Sequence, residues 1–86
     1  MYKIELTKEP EKFYLKQNKN VQKKLSTALR KLASNPTPNQ SKKLSGMDGL
    51  FRLRAGDYRV IYKIENDKLI ILVVRIAHRK DVYRKL

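Results

Sequence analysis

An α+β fold is predicted by three features of the 86-residue sequence. The first half carries apolar residues at helical spacing, and the second half carries them at alternate positions. A rigid stop, Asn35-Pro-Thr-Pro38, separates the two regimes. Helices followed by strands with short turns specify a two-helix hairpin packed on one face of a mainly antiparallel sheet. Four strands are expected, one N-terminal and three in the second half, with a short C-terminal helix or tail.

Each element has a local cause. Tyr2, Ile4 and Leu6 alternate with Lys3 and Glu5, the pattern of a short half-buried strand. Thr7 is the expected cap of a first helix, with Glu9 and Glu11 complementing its dipole and Pro10 tolerated early. Phe13 and Tyr14 supply that helix's buried stripe. After the polar break Gln17-Asn-Lys-Asn20, with Asn20 as the expected cap, Val21, Leu25, Ala28, Leu29 and Leu32 mark one face of a second helix. Beyond the proline stop, Leu50–Arg54 sets Phe51 and Leu53 against Arg52 and Arg54. Ala55-Gly-Asp57 reads as a turn. The next strand, Tyr58–Glu65, sets Tyr58, Val60, Tyr62 and Ile64 against Arg59, Ile61 and Lys63. Asn66-Asp67 turns the chain again, and Leu69–Ile76 is apolar on both faces, as a covered central strand should be.

Length and composition bound the function. Eighty-six residues make one domain, 1–86, with a single core. Cysteine is absent and histidine occurs once, which disfavours disulfides and transition-metal sites. The scattered carboxylates form no pattern for two-metal chemistry, so neither metal nor cofactor is expected. The N-terminus has no signal-peptide core, and the longest apolar run, Leu69–Val74, is far short of the ~20 residues that span a bilayer. A soluble, cytoplasmic protein without a membrane partner is the expectation. Twenty-one Lys and Arg against eight Asp and Glu give +13, a charge suited to nucleic acid, anionic lipid or an acidic protein.

Strand alternation sorts these charges. With Phe51 and Leu53 facing the helices, Arg52 and Arg54 project from the open face of the sheet, and Arg59 can join them. Arg75 is a further candidate for that face, its register being undetermined by sequence. The expected result is a shallow groove lined by guanidinium groups, ending at His78, Arg79 and Tyr83. Arginine suits phosphate because its planar fork bonds two oxygens and keeps its charge. His78 is the side chain able to exchange a proton near neutrality. Lys42 and Lys43 are expected in a solvated loop within reach of an RNA backbone. Taken singly, these residues also fit a solvated sheet face, a structural histidine and a tail-anchoring tyrosine.

Three segments resemble the RelE branch of the RelE/ParE toxins: Lys43-Leu-Ser-Gly-Met47, Phe51-Arg-Leu-Arg-Ala-Gly-Asp-Tyr-Arg-Val-Ile-Tyr62 and Ile76-Ala-His-Arg-Lys-Asp-Val-Tyr-Arg84. The likeness spans nearly the whole chain, with its specificity in the second half. It implies the toxin of a type II toxin–antitoxin pair, a metal-independent endoribonuclease that cuts mRNA, commonly in the ribosomal A site. The ribose 2′-hydroxyl attacks the adjacent phosphate, leaving a 2′,3′-cyclic phosphate and a 5′-hydroxyl.

Carried over by position, Arg52 and Arg54 match basic residues of the family's first meander strand. Arg59 matches the Arg of its Tyr-Arg strand start, and Arg79 and Tyr83 match the tail Arg and Tyr. Some members have Lys in place of Arg52 and of Leu50, and His78 is the candidate for a tail His that others carry. The expected catalytic set is Arg54, Arg59, His78, Arg79 and Tyr83, with Lys42, Lys43, Arg52, Arg75 and Arg84 contacting RNA. The expected partners are a cognate antitoxin, RelB-like or of another class, together with mRNA and the ribosome. The alternatives are a ParE-like inhibitor of DNA gyrase and a non-catalytic RNA- or ribosome-binding module.

Overall fold

The computed structural model describes residues 1–39, 41–44, 46 and 49–80. Tyr83, Arg84 and the expected C-terminal helix or tail lie outside the described residues. The elements run β1 (Lys3–Leu6), α1 (Lys8–Lys16), α2 (Lys19–Ser34), β2 (Ser41–Lys43), β3 (Leu50–Ala55), β4 (Tyr58–Glu65) and β5 (Ile70–His78). The sheet has five strands in the order β1-β5-β4-β3-β2, one more than the four expected. The additional strand is β2, which pairs antiparallel with β3 through Lys42↔Arg52 and Lys43↔Phe51. Lys42 and Lys43 therefore form an edge strand and not a loop. Its three residues carry no apolar alternation, and a short, lysine-bearing edge discourages pairing with other chains.

Helix starts follow side-chain chemistry, with one shift from expectation. Asn18, not Asn20, caps α2, its Oδ1 accepting the Val21 N–H at 3.0 Å. Only Gln17 and Asn18 separate the helices, so Asn20 already lies in the first turn of α2. Thr7 occupies the cap position of α1 without a side-chain capping bond. Its backbone N–H instead donates to the Val73 carbonyl at 2.9 Å, tying the end of β1 to β5.

The helices and one face of the sheet enclose the core. Leu25, Leu29 and Leu32 of α2 meet Leu53, Val60, Tyr62, Ile71, Val73 and Ile76, with Phe13 and Tyr14 of α1 packed alongside. β3 and β4 join through Gly56-Asp57, with positive φ at Gly56 alone (63°). Glycine at the first loop position suits the type II′ turn that matches strand twist. β1 runs parallel to β5, from Lys3↔Ile70 to Leu6↔Val73.

β5 contains an irregularity that decides the rest. Tyr62 pairs with Val73 but Ile61 pairs with Arg75, so Val74 is an extra residue on β5. Before it, Ile71 and Val73 face the helices. After it, Ile76 and His78 do, and Arg75 and Ala77 turn to the open face. Strict alternation would have placed each of these four on the other side.

Two buried features carry stability. The Tyr62 ring stacks on Phe51 at 5.6 Å, and its hydroxyl donates to the Pro36 carbonyl at 2.6 Å, fastening the proline segment to the sheet. Burial raises the Tyr62 pKa above 10.0, and a hydrogen bond with Ser41 opposes that rise. The β4–β5 turn holds Leu69 at φ 54°, a left-handed conformation that crowds its Cβ.

Replacing Leu69, whose side chain is exposed, by Gly relieves that crowding. Stability is expected to rise by about 1 kcal/mol, lifting Tm by roughly 4–8 °C in a domain of this size. Thermal melts of both proteins check it. Tyr62→Phe leaves the Pro36 carbonyl without this donor and should cost about 1–2 kcal/mol in urea unfolding. A phenol with a raised folded pKa gives its full stabilisation below the unfolded pKa and loses it as pH rises through the folded value. The urea midpoint of the parent should therefore fall above about pH 10, and Tyr62→Phe should fall less.

Candidate nucleic-acid interface

The open face of the sheet collects cations from all five strands. By register, Lys3 of β1, Lys42 of β2, Arg52 and Arg54 of β3, Arg59 and Lys63 of β4 and Arg75 of β5 lie on it. Two pairs of like charge stand directly opposite each other, Lys42 with Arg52 and Arg54 with Arg59. Such pairs are destabilising in a bare sheet, and an anion between them reverses the sign. The carboxylates of this face, Glu5 and Glu65, lie toward the other end, beside Leu72 and Ile70. The face is therefore polarised, with its positive end at the β3–β4 turn.

This face differs from the expected groove of guanidinium groups. Its middle is apolar: Ile61 and Ala77 are buried, and Leu44, Leu50 and Val74 pack against them. The arginines rim that cluster in different states. Arg54 is exposed, whereas Arg59 is 7% exposed, its Nη1 donating to the carbonyls of Gly56 and Tyr58 at 3.0 Å each. Arg59 is thereby a guanidinium held in place before any ligand arrives. Arg52 is half-buried, and its Nε lies buried with no hydrogen-bond partner, a vacancy that an acceptor would fill. Arg75 is 8% exposed and pairs with Glu9 in the first turn of α1. Its charge is thus already engaged, anchoring the helix pair to β5.

His78 lies at the same end of the sheet but on the other face. It pairs with Tyr58, and the two rings meet edge-to-face at 5.7 Å, while Phe13 of α1 meets Tyr58 at 6.0 Å. The imidazole is thus held by an aromatic row on the helix side, with the sheet between it and the Arg54–Arg59 pair. Its Nδ1 accepts from the Lys80 N–H at 3.4 Å, which leaves Nε2 to carry the proton of the neutral ring. Arg79 is exposed, and its backbone N–H donates to the Asp57 carbonyl at 2.8 Å, fixing the start of the tail beside the β3–β4 turn.

Arg54, Arg59, His78 and Arg79 are thus gathered at one end of the sheet, with His78 separated from the arginine pair by face. Lys42 joins Arg52 on the open face, and Lys43, opposite Phe51, takes the helix side. Sequence reasoning left Lys63 out of the cationic set although the β4 alternation placed it there. It also gave His78 no aromatic partner. The signal for that contact is the extra residue at Val74, which no residue type in the strand announces. Among the described residues, no three His, Cys, Asp or Glu side chains gather as a metal site. Nor is any described helix long and apolar enough to cross a membrane.

Known proteins place these features in a family. A model of the ParE toxin of type II toxin–antitoxin systems matches residues 5–83. A putative RelE-like toxin protein of Escherichia coli is 31% identical over 86 residues, covering 95% of this chain and 90% of the relative. Toxin RelG of Mycobacterium tuberculosis is 38% identical over 37 residues, 43% of this chain, and the match spans only 42% of RelG. Among solved structures, the archaeal RelE–RelB complex of Pyrococcus horikoshii contains a chain with TM-score 0.78 and 26% identity, covering 91% of this chain and 94% of that one. The chain belongs to the RelE/ParE superfamily of toxins from type II toxin–antitoxin systems.

Proposed function

We propose that this chain is a metal-independent endoribonuclease that cleaves mRNA, in the ribosomal A site, and so arrests translation. The observation that carries the reading is the Arg54–Arg59 pair, two arginines at directly opposed positions of β3 and β4 on the open face. One of them is fixed by backbone carbonyls and the other is exposed. A phosphorane gathers negative charge as it forms, and preorganised donors around it lower the barrier more than they stabilise the ground state. Arg79, beside the same turn, completes the clamp.

The nucleophile belongs to the substrate. The 2′-oxygen gives up its proton, bonds to phosphorus as the P–O5′ bond breaks, and the 5′-oxygen takes a proton. The ends are then a 2′,3′-cyclic phosphate and a 5′-hydroxyl. His78 serves as the base or the acid for a strand that rounds the sheet end beside Arg79, since the sheet stands between it and the Arg54–Arg59 pair. The turn of its Nδ1 toward Lys80 favours a donor's role for Nε2. Tyr83 stacks on a base or orients the nucleophile. Lys42, Arg52 and Arg84 hold the RNA backbone, while Lys43 faces the helix side and Arg75 supports the face through Glu9. The activity belongs in the cytoplasm with the ribosome, and a RelB-like antitoxin is the partner that restrains it. The P. horikoshii relative in complex with RelB supports that partnership.

The match to a ParE family model favours one second reading, inhibition of DNA gyrase on the same fold. The two are separated by adding purified chain to programmed ribosomes, mapping new 5′ ends and identifying their termini. New 5′-hydroxyl ends within the A-site codon are expected. Arg54→Ala and Arg59→Ala should each lower kcat about 10²–10³-fold, and His78→Ala about 10²-fold or more. Intact mRNA together with inhibited gyrase supercoiling would establish the second reading. RNA binding that weakens with salt but yields no new ends would make the chain a binding module.

A further inference from the structure

On the helix side of the sheet end, Tyr58 is the middle member of the ring row Phe13, Tyr58, His78. It stands directly opposite His78 across β4 and β5, and the planes of the two rings meet at 76°. Phe13 of α1 meets the same tyrosine ring at 66°. Phe13 and Tyr58 both pack against the main core, so buried neighbours set their positions. His78 has no such backing. It is the last residue of β5, half-buried, and leads directly into the exposed Arg79 and Lys80. Its imidazole has two side-chain torsions to settle. The Lys80 N–H on Nδ1 restrains them locally, but at 3.4 Å that bond is too long to fix the ring by itself.

We propose that Tyr58 is a positioning residue, holding the His78 imidazole with Nδ1 on the Lys80 amide and Nε2 left for proton transfer. Its role rests on the proposed cleavage, in which His78 moves a proton. Directly opposed residues of antiparallel strands have Cβ atoms about 4.5–5.5 Å apart, close enough for one ring to limit the swing of the other. The Arg54–Arg59 pair cannot orient the imidazole, because the sheet stands between them. That task falls to the helix side, where Tyr58 is the ring in contact. The contact is made by the ring, so the phenol hydroxyl is not needed for it. An edge-to-face pair shifts the balance between a held and a swung-out imidazole by roughly two- to twelvefold. The expected effect is therefore smaller than that of losing His78. It falls on kcat, since a displaced imidazole leaves the phosphate-binding arginines as they were.

Two measurements on the full chain test this role. Nitrogen-15 NMR at about pH 8.5, where an imidazole is ordinarily neutral, reads the His78 tautomer without RNA. The parent should carry the proton on Nε2, Tyr58→Leu should give a mixture of both tautomers, and Tyr58→Phe should keep the parent pattern. Cleavage on programmed ribosomes is the second measurement. Tyr58→Leu should lower kcat about three- to tenfold with KM within about twofold, and Tyr58→Phe should restore the parent kcat. Once His78 is replaced by Ala, Tyr58→Leu should have no further effect, because the tyrosine acts through the imidazole. Circular dichroism and Tm confirm that each variant is folded. An unchanged tautomer in Tyr58→Leu, an unchanged kcat, or a loss that multiplies with that of His78→Ala would each overturn the proposal and leave Tyr58 as packing alone. A parent chain that yields no new 5′ ends overturns the cleavage reading instead, and the tautomer still decides whether Tyr58 holds His78.

Discussion

The pairing of β4 with β5, with one surplus residue at Val74, is the constraint on which the remaining structure depends. β5 is held on one side by β4 and on the other by the parallel β1, so its register governs every layer. The surplus residue falls where β1 ends, and α1 begins there through the Thr7–Val73 hydrogen bond. Below it, Ile71 and Val73 seal the core under the helices. Above it, Ile76 continues that core while Arg75 turns outward to meet Glu9. One irregularity thus lets a single strand serve both a helix-covered core and a cationic open face.

The cationic face bears an electrostatic cost in isolation. Two like-charge cross-strand pairs and an unpartnered Arg52 Nε concentrate unfavourable terms at one end of the sheet. The stacked Phe51–Tyr62 pair and the three α2 leucines lie directly behind those strands and hold them against the repulsion. A chain with net charge +13 also repels itself as a whole. Any polyanion or acidic partner that binds the native state relieves both terms, so its binding doubles as stabilisation.

Much of this was legible in the residues. The alternation in β3 and β4 placed Arg52, Arg54 and Arg59 together, and the Gly56-Asp57 turn followed from residue type. The proline stop divided helices from strands because its chemistry is local. β2 stayed hidden because three residues with two lysines show no period, and only Phe51 and Arg52 across the sheet make them a strand. The face taken by His78 was hidden for a different reason: alternation is a count, and a bulge alters the count without marking the sequence. The capping of α2 by Asn18 turned on which of two asparagines adopted extended dihedrals, a choice set by the short link between the helices.

The surplus residue at Val74 also bears on how such a chain can change over time. Most substitutions in β5 alter one contact, but losing or gaining a single residue there would exchange the faces of Arg75, Ile76, Ala77 and His78 together. Arginine would enter the helix-side core, and isoleucine would emerge beside the cationic pair. Length in this strand is therefore the costlier property to change. Divergence among such chains should accumulate as side-chain replacement in β5, with insertions and deletions confined to the surface turns.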